Sequence, residues 1–293
     1  MKASAFSYAR ATSVANALEL LGAHGDRAKV LSGGQSLMPA MNLRLISPDL
    51  IVDIGELAEL RGIAVSGNFL SIGALTRHVD LQRSPEVAAH VPLLTEAVAH
   101  VAHPAIRNRG TLGGSLAHAD PASELPACMV ALNATIIVRG PRGERRIAAA
   151  DFFKGIYETA LSPDELLVSV ELPVGRNDSR HFFHELARRH GDYAIAGLAA
   201  HAIMDGGLFT DLRLAFFAVG DRPVLARAAS GLIGVPVTPG VLADVVANLA
   251  EELEPQEDQQ ASAAMRRHLA KVLMRRCVAA LLGRPDLDAG GRA

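Results

Sequence analysis

Two short glycine stretches constrain this chain more than anything else in it: Ser32-Gly33-Gly34-Gln35-Ser36 and Thr111-Leu112-Gly113-Gly114-Ser115. Each sets paired glycines among hydroxyl-bearing residues, and neither lies in a low-complexity tract. Paired glycines let a backbone turn through positive φ and let a ligand or a second backbone come close. Successive N–H groups in such a turn converge on an anion. One Gly-Gly turn alone is equally a tight bend with no ligand. Two of similar form, each entered from an apolar segment, point to one anion gripped from two sides.

The surrounding pattern places these stretches. Ser13 or Thr12 caps a helix with apolar Val14, Ala17, Leu18 and Leu21, ended by Gly22. Lys29-Val30-Leu31 is a short strand entering the first glycine turn, a helix over 36–45 comes next, and 50–54 is the following strand. Such a β–turn–α–β unit carries parallel strands, with the turn at their C-terminal edge, where open α/β sheets bind ligands. Strands at 63–65 and 69–72 flank a hairpin turn, and Thr76 is the expected cap of a helix reaching Arg83. A helix over 92–101 leads through the loop 103–110 to the second glycine turn, and another covers 122–132. Strands at 135–139 and 144–147 and a last one at 166–172 complete this part. After a polar stretch at 173–179, strands at 181–186, 197–204 and 209–219 are antiparallel, and helices at 239–253 and 262–282 close the chain. The acidic run 251–258 is expected as a solvated connection, and 284–293 as a loosely ordered tail.

Composition narrows the function classes. A chain of 293 residues favours two domains and buries a large core without staples. A net charge of −2 disfavours nonspecific nucleic-acid binding. The two cysteines, Cys128 and Cys277, make no metal or cluster spacing and fit a reduced, cytoplasmic location. No apolar run is long enough for a membrane span, and no secretory signal is visible at the N-terminus. The glycine stretches match neither G-x-G-x-x-G nor GxxxxGK[ST], which excludes the usual dinucleotide and P-loop fingerprints. Without a P-loop lysine, triphosphate chemistry is disfavoured. What remains is a diphosphate held by backbone N–H groups and hydroxyls, and flavin adenine dinucleotide (FAD) answers that description.

The same residues resemble the FAD-binding medium subunit of the molybdenum hydroxylases, the group of carbon monoxide dehydrogenase and xanthine dehydrogenase. Ser32–Ser36 and Thr111–Ser115 are similar to that family's two flavin motifs, with Ser32 where Ala is common. Ile106–Gly110 resembles the approach to the second motif, although Ala105 stands where Gln is usual. Ala117–Glu124 resembles the family's segment just after that motif, and Gly191-Asp192-Tyr193-Ala194 the segment near the flavin ring. The resemblance implies an α+β and α/β architecture. Its FAD-binding domain, of the vanillyl-alcohol-oxidase (PCMH) type, covers 1–176 in two subdomains, 1–56 and 57–176. A smaller C-terminal domain, 177–283, holds a three-stranded antiparallel sheet and helices. The resemblance also implies noncovalent FAD in a heteromeric oxidoreductase. A small subunit carries [2Fe–2S] clusters, which two cysteines here could not ligate. A large subunit carries the molybdopterin cofactor, and the whole is a dimer of heterotrimers. Electrons pass from the clusters through this flavin to an external acceptor. The alternatives are a self-sufficient FAD-dependent oxidase or reductase with its own substrate pocket, and a non-enzymatic scaffold.

No catalytic acid, nucleophile or metal ligand is expected in this chain, because a flavin does the redox chemistry and the protein binds, orients and tunes it. The expected FAD contacts are the backbone N–H groups of Gly33, Gly34, Gly113 and Gly114, with Ser32, Gln35 and the hydroxyls of Ser36, Thr111 and Ser115. Lys29, Leu31 and Val101 approach the cofactor through their positions beside the motifs. Asp120 is either a ribityl or adenosine contact or the cap of a turn. Glu124 is either such a contact or an exposed first-turn acid. Tyr193 faces the isoalloxazine ring or is a core tyrosine with a tethered hydroxyl. Arg107 and Arg109 either neutralise phosphate, face the cluster subunit or are solvated. His103, His118, His181 and His184 are ordinary polar residues.

Overall fold

Strands β1 (Ser7–Arg10), β2 (Ala28–Leu31) and β3 (Leu50–Asp53) form a parallel sheet in the order β1-β3-β2 in the computed structural model, which describes residues 2–288. Helix α1 (Val14–His24) buries Val14, Ala17 and Leu21, and the Ser13 hydroxyl accepts from the Asn16 N–H as its N-cap. It passes through Gly22 and stops at Gly25, whose φ of 54° is where the chain turns away. Helix α2 (Leu37–Asn42) comes after the first glycine stretch and is shorter than the sequence suggests.

The middle of the chain holds β4 (Ile63–Ser66), β5 (Phe69–Gly73), β6 (Thr135–Gly140), β7 (Gly143–Ala148), a small hairpin of β8 (Phe153–Gly155) and β9 (Glu158–Thr159), and β10 (Leu166–Pro173). Five of these make an antiparallel sheet, β4-β5-β10-β6-β7. Both faces are covered, which is why β6 is apolar at successive positions: Ile136 and Val138 enter one core and Ile137 the other. The second of these cores joins the sheet to the small parallel sheet and α1. The first core is closed by the helices of this part, α3 (His78–Arg83), α4 (Pro85–His90), α5 (Pro92–His100), α6 (Pro104–Arg107), α7 (Leu112–His118), α8 (Glu124–Ala131) and α9 (Ala149–Phe152). Thr76 does not cap α3. Arg77 occupies the N-cap, and the Thr76 hydroxyl donates to the Gly62 carbonyl at 3.1 Å.

The C-terminal sheet has four antiparallel strands, not three: β11 (Ser179–Leu186), β12 (Ala196–Asp205), β13 (Leu208–Phe217) and the two-residue β14 (Val224–Leu225). Alternation sorts its side chains. Leu198, Ala200, Ala202, Leu214 and Phe216 face helices α10 (Pro239–Glu252) and α11 (Ala263–Leu282), while Ala199, Ala215 and Phe217 face α5 and α8. Two polar ties reinforce the second contact: Arg213 donates to the Val130 carbonyl at 2.9 Å, and the Ala218 N–H to the Pro121 carbonyl at 2.8 Å. The acidic run is more than a solvated connection. Glu252 accepts from the Arg227 and Ala228 N–H groups, both at 2.7 Å, and Asp258 pairs with buried Arg266 at 2.7 Å. The expected loose tail is also corrected as far as residue 288, because Leu287 is buried and Arg284 donates to the Val237 carbonyl at 2.9 Å. Residues 289–293 of that tail lie outside the described residues.

Candidate flavin-binding site

The first glycine stretch is an open turn between β2 and α2. Gly34 sits at φ 72°, which a side chain would strain. A Cβ on Gly33 would meet the backbone of the second motif's approach, the Arg109 carbonyl and the Gly110 Cα, the latter at 2.8 Å. Gln35 folds back, its amide donating to the Gly33 carbonyl at 3.0 Å. The N–H groups of Gly33, Gly34, Gln35 and Ser36 have no acceptor among the described residues. They form a run of adjacent donors at the C-terminal edge of the parallel sheet, able to take up an anion.

The second stretch is not a turn. Thr111 is the N-cap and Gly113 and Gly114 lie in the first turn of α7, so the positive-φ argument fails for both. Their N–H groups are also committed: Gly113 donates to the Ala74 carbonyl at 2.8 Å and Gly114 to the Thr111 hydroxyl at 3.1 Å. Small residues are needed here for approach, with the Gly113 Cα against Ala74.

The two stretches meet. The hydroxyls of Ser32 and Thr111, 79 residues apart, are hydrogen-bonded at 2.7 Å. Thr111 is 5% exposed and its hydroxyl both joins Ser32 and caps α7. Thr111→Val keeps the shape and loses both bonds. It is expected to cost about 1–2 kcal/mol in a urea melt, with unchanged stability the contrary result. Beneath this junction, burial takes His78 down to about 4, so a neutral imidazole supports Gly110 from below.

At the far end of α7, Ala119 adopts a left-handed cap at φ 50° and the chain enters Asp120. Asp120 accepts from the Ala122 N–H at 2.9 Å, which is the turn-cap alternative realised, and it also lines a cavity of about 350 Å³. Tyr157, Tyr193, Ala218, Gln256, Gln260 and Arg266 share that lining. Tyr193 is 60% exposed and is therefore no core tyrosine. Burial first, then the charge of Asp120, pushes the phenols of both tyrosines upward. Tyr157, which sequence reasoning missed, lines this cavity, its ring tilted 33° to that of His118 with centroids 4.8 Å apart.

Other expected residues are placed differently. Ser115 and Ser123 share a hydroxyl bond at 3.1 Å, tying α7 to the approach of α8. Lys29 is exposed on β2, Leu31 is half-buried with its carbonyl accepting from Ile54, and Ser36 is exposed ahead of α2. Val101 ends α5. Arg107 is neither solvated nor turned to a phosphate: its guanidinium donates to the Val101 and Ala102 carbonyls at 2.9 and 3.0 Å. Arg109 is exposed, and its backbone rather than its side chain abuts Gly33. Glu124 is no exposed acid either. It is 9% exposed, and burial pushes it up to about 8, with Glu185 and Asp120 adding to the push. No group of three or more His, Cys, Asp or Glu among the described residues is arranged for a metal ion.

Residues 4–175 match the family described as the FAD binding domain in molybdopterin dehydrogenase, and residues 181–281 match the CO dehydrogenase flavoprotein C-terminal domain. The glyceraldehyde dehydrogenase medium chain of Sulfolobus acidocaldarius is 38% identical over 92% of this chain and 95% of its own length. The caffeine dehydrogenase subunit beta of a Pseudomonas species is 38% identical over 95% of each. Among solved structures, a carbon monoxide dehydrogenase from Hydrogenophaga pseudoflava that lacks the Mo-pyranopterin moiety of its molybdenum cofactor superposes with a TM-score of 0.94 at 36% identity. The match covers 97% of this chain and 99% of that one.

Proposed function

The chain belongs to the FAD-binding medium subunits of the molybdenum hydroxylases, and from that premise we propose that it passes electrons from the [2Fe–2S] clusters of a small partner subunit to an external acceptor. The observation that carries this reading is the junction of the two glycine stretches: the unpartnered amides at 33–36 belong to a turn whose Gly33 abuts the Arg109–Gly110 backbone, tied to the second stretch by the Ser32–Thr111 bond of 2.7 Å. A Cβ on Gly33 would collide with the Arg109–Gly110 backbone, so glycine keeps the two stretches in contact, and it is the free amides at 33–36 beside that contact that fit a diphosphate.

In this reading Gly33, Gly34, Gln35 and Ser36 hold the diphosphate through N–H groups, with the Ser36 hydroxyl and the one hydroxyl proton that the Ser32–Thr111 pair and the Ser115–Ser123 pair each leave free. Gly113 and Gly114 contribute by their small size, since their N–H groups are spent. Asp120 and Tyr193 bound the space for the ring, and Lys29, Leu31 and Val101 lie beside the nucleotide. When bound, the flavin supplies the redox chemistry; this chain binds it, orients it and limits access of solvent. The proposed domain limits are 1–176 and 177–283. The proposed assembly is a cytoplasmic dimer of heterotrimers, whose large subunit holds the molybdopterin cofactor and chooses the substrate. No helix among the described residues is long and apolar enough to cross a membrane.

Two measurements test the reading. Purified protein is expected to show flavin absorption bands, and a colourless product without affinity for added FAD would exclude it. Native pull-down is expected to bring down an iron–sulfur chain and a large molybdenum chain. Turnover of a substrate by the isolated chain would instead favour the self-sufficient oxidase.

A further inference from the structure

Helix α5 and strand β11 meet at a charged contact beside the flavin site. The Nδ1 of His100, the last residue of α5, lies 3.3 Å from a Glu185 carboxylate oxygen on β11. The Glu185 side chain is 4% exposed, and its second oxygen is buried without a partner. His100 is its one ion-pair partner among the described residues. Immediately after His100 the chain leaves α5 through Val101 and Ala102, whose carbonyls Arg107 holds. Ala102 sits at φ 43°. Immediately after β11 the chain enters the loop 187–194, closed at its base by the Ile195 N–H donating to the Leu186 carbonyl at 2.7 Å. This loop lies back on the end of α5. The His190 ring is centred 6.0 Å from that of His100, and a Cβ on Gly191 would sit 2.8 Å from the Ala102 carbonyl oxygen. Two residues further on, Tyr193 is exposed on the cavity it shares with Asp120.

We propose that His100 and Glu185 are positioning residues for the flavin: their ion pair holds the loop 187–194 against the end of α5, and the proton on His100 sets how firmly. This rests on the flavin reading above, in which Val101 and Tyr193 reach the cofactor from the two sides of that contact. With its proton, His100 neutralises a carboxylate that water does not reach. Without it, Glu185 is a buried charge with no counter-charge, and β11 must part from α5 to hydrate it. The loop that β11 feeds then leaves the flavin. Glu185 raises His100 against the opposing effect of burial. The pair is therefore whole below the ordinary imidazole value of 6.5 and is lost as pH climbs from there through the raised one. Other titratable groups face the pair from the elements packed on it. Glu96 of α5 is engaged by His181 of β11 at 3.1 Å, and His190 lies over His100 from the loop. Burial, then Arg276 of α11, lowers His184 of β11. On α8, burial holds Cys128 as a thiol, and Glu124 keeps its proton up to about 8. Ionised Glu124 would add a further negative charge to the seam, so it is the competing source of the same pH dependence.

The test uses the assembled, FAD-loaded complex, diluted at pH 6 and at pH 8.5, with FAD release followed by the rise in flavin fluorescence. Wild type is expected to release FAD at least fivefold faster at pH 8.5. Glu185→Gln removes the buried charge and keeps a hydrogen-bond acceptor. It is expected to release FAD slowly at both pH values, within twofold of each other. His100→Gln keeps a donor and loses the positive charge, and it is expected to release FAD fast at both. Opposite rates with the same loss of pH dependence are an outcome that simple damage to the seam would not produce. If His100→Gln does not fold, Glu185→Gln carries the test alone. A wild-type ratio below two, or the full wild-type ratio in Glu185→Gln, overturns the proposal. The full ratio in Glu185→Gln together with its loss in Glu124→Gln overturns it in favour of Glu124. A wild-type complex without flavin bands defeats the flavin reading instead.

Discussion

Gly33→Ala is expected to weaken FAD binding at least a hundredfold while the fold persists. The new Cβ would meet only backbone: the Arg109 carbonyl group, with its carbon at 2.9 Å, and the Gly110 Cα at 2.8 Å. No side chain there can rotate away, so the turn must withdraw from the second stretch. That withdrawal pulls on the Ser32–Thr111 bond and moves the free amides of 33–36 away from the second stretch. A hundredfold loss corresponds to about 2.7 kcal/mol. The same increment, which FAD at 100 times the wild-type Kd adds to stability, should fall to about 0.4 kcal/mol or less in the variant's melting curve. FAD per chain, from absorbance of the purified protein, and the shift of Tm on adding FAD check this. Gly67→Ala is the control. Its φ of 57° makes the substitution strained, yet open space surrounds it, so it is expected to lose about 1 kcal/mol and keep its flavin. Stoichiometric FAD in Gly33→Ala would refute the diphosphate role of this turn.

The first jaw of this site is legible in the sequence because local rules and tertiary structure agree there. An apolar strand, a Gly-Gly pair, a short helix and a second apolar strand specify β2, the turn, α2 and β3, and with them the parallel pairing. The second jaw is misread for a physical reason. Two adjacent glycines weaken a helix by roughly 1 kcal/mol each, so 111–115 looks like a turn. Yet α7 forms because Thr111 caps it and the Gly113 N–H is taken by Ala74. Strand β1 carries little apolar signal in its mostly exposed Ser-Tyr-Ala-Arg and exists through its pairing with β3. β14 has only two residues and pairs with β13 through Ala215 and Phe216. Arg107 reads as solvated or phosphate-binding until the end of α5 is seen folding its carbonyls around it. Tyr157 carries no local signal, because its importance lies in a positive φ and in neighbours 37 to 39 positions earlier, Asp120 to His118.

Glu124→Gln is expected to stabilise the protein near neutral pH and to flatten its pH dependence. The carboxyl opens α8 inside the seam where α5, α8 and β11 meet. Across that seam His100 lies 3.3 Å from Glu185, whose second carboxylate oxygen is buried without a partner. A charge on Glu124 would be desolvated and would face Glu185 and Asp120, which is why its pKa rises to about 8 from an ordinary value of 4.5. Between those values the folded chain keeps a proton that the unfolded chain releases. The stability tied to this proton is therefore complete below about pH 4.5 and declines as pH climbs through 8. At 1.36 kcal/mol per unit, the difference between pH 7 and 4.5 is roughly 3 kcal/mol, which an uncharged Gln does not lose. His100 acts in the same direction. Glu185 raises it, so that pair stabilises fully below the ordinary imidazole value, and this contribution is lost as pH climbs from there through the raised one. Urea melts at pH 5, 6, 7 and 8 should show wild type falling steeply and Glu124→Gln falling by the smaller His100 contribution alone. Parallel curves would mean that Glu124 is already ionised in the fold. The seam would then have to hold three carboxylates against one imidazolium, an arrangement the unpartnered oxygen of Glu185 argues against.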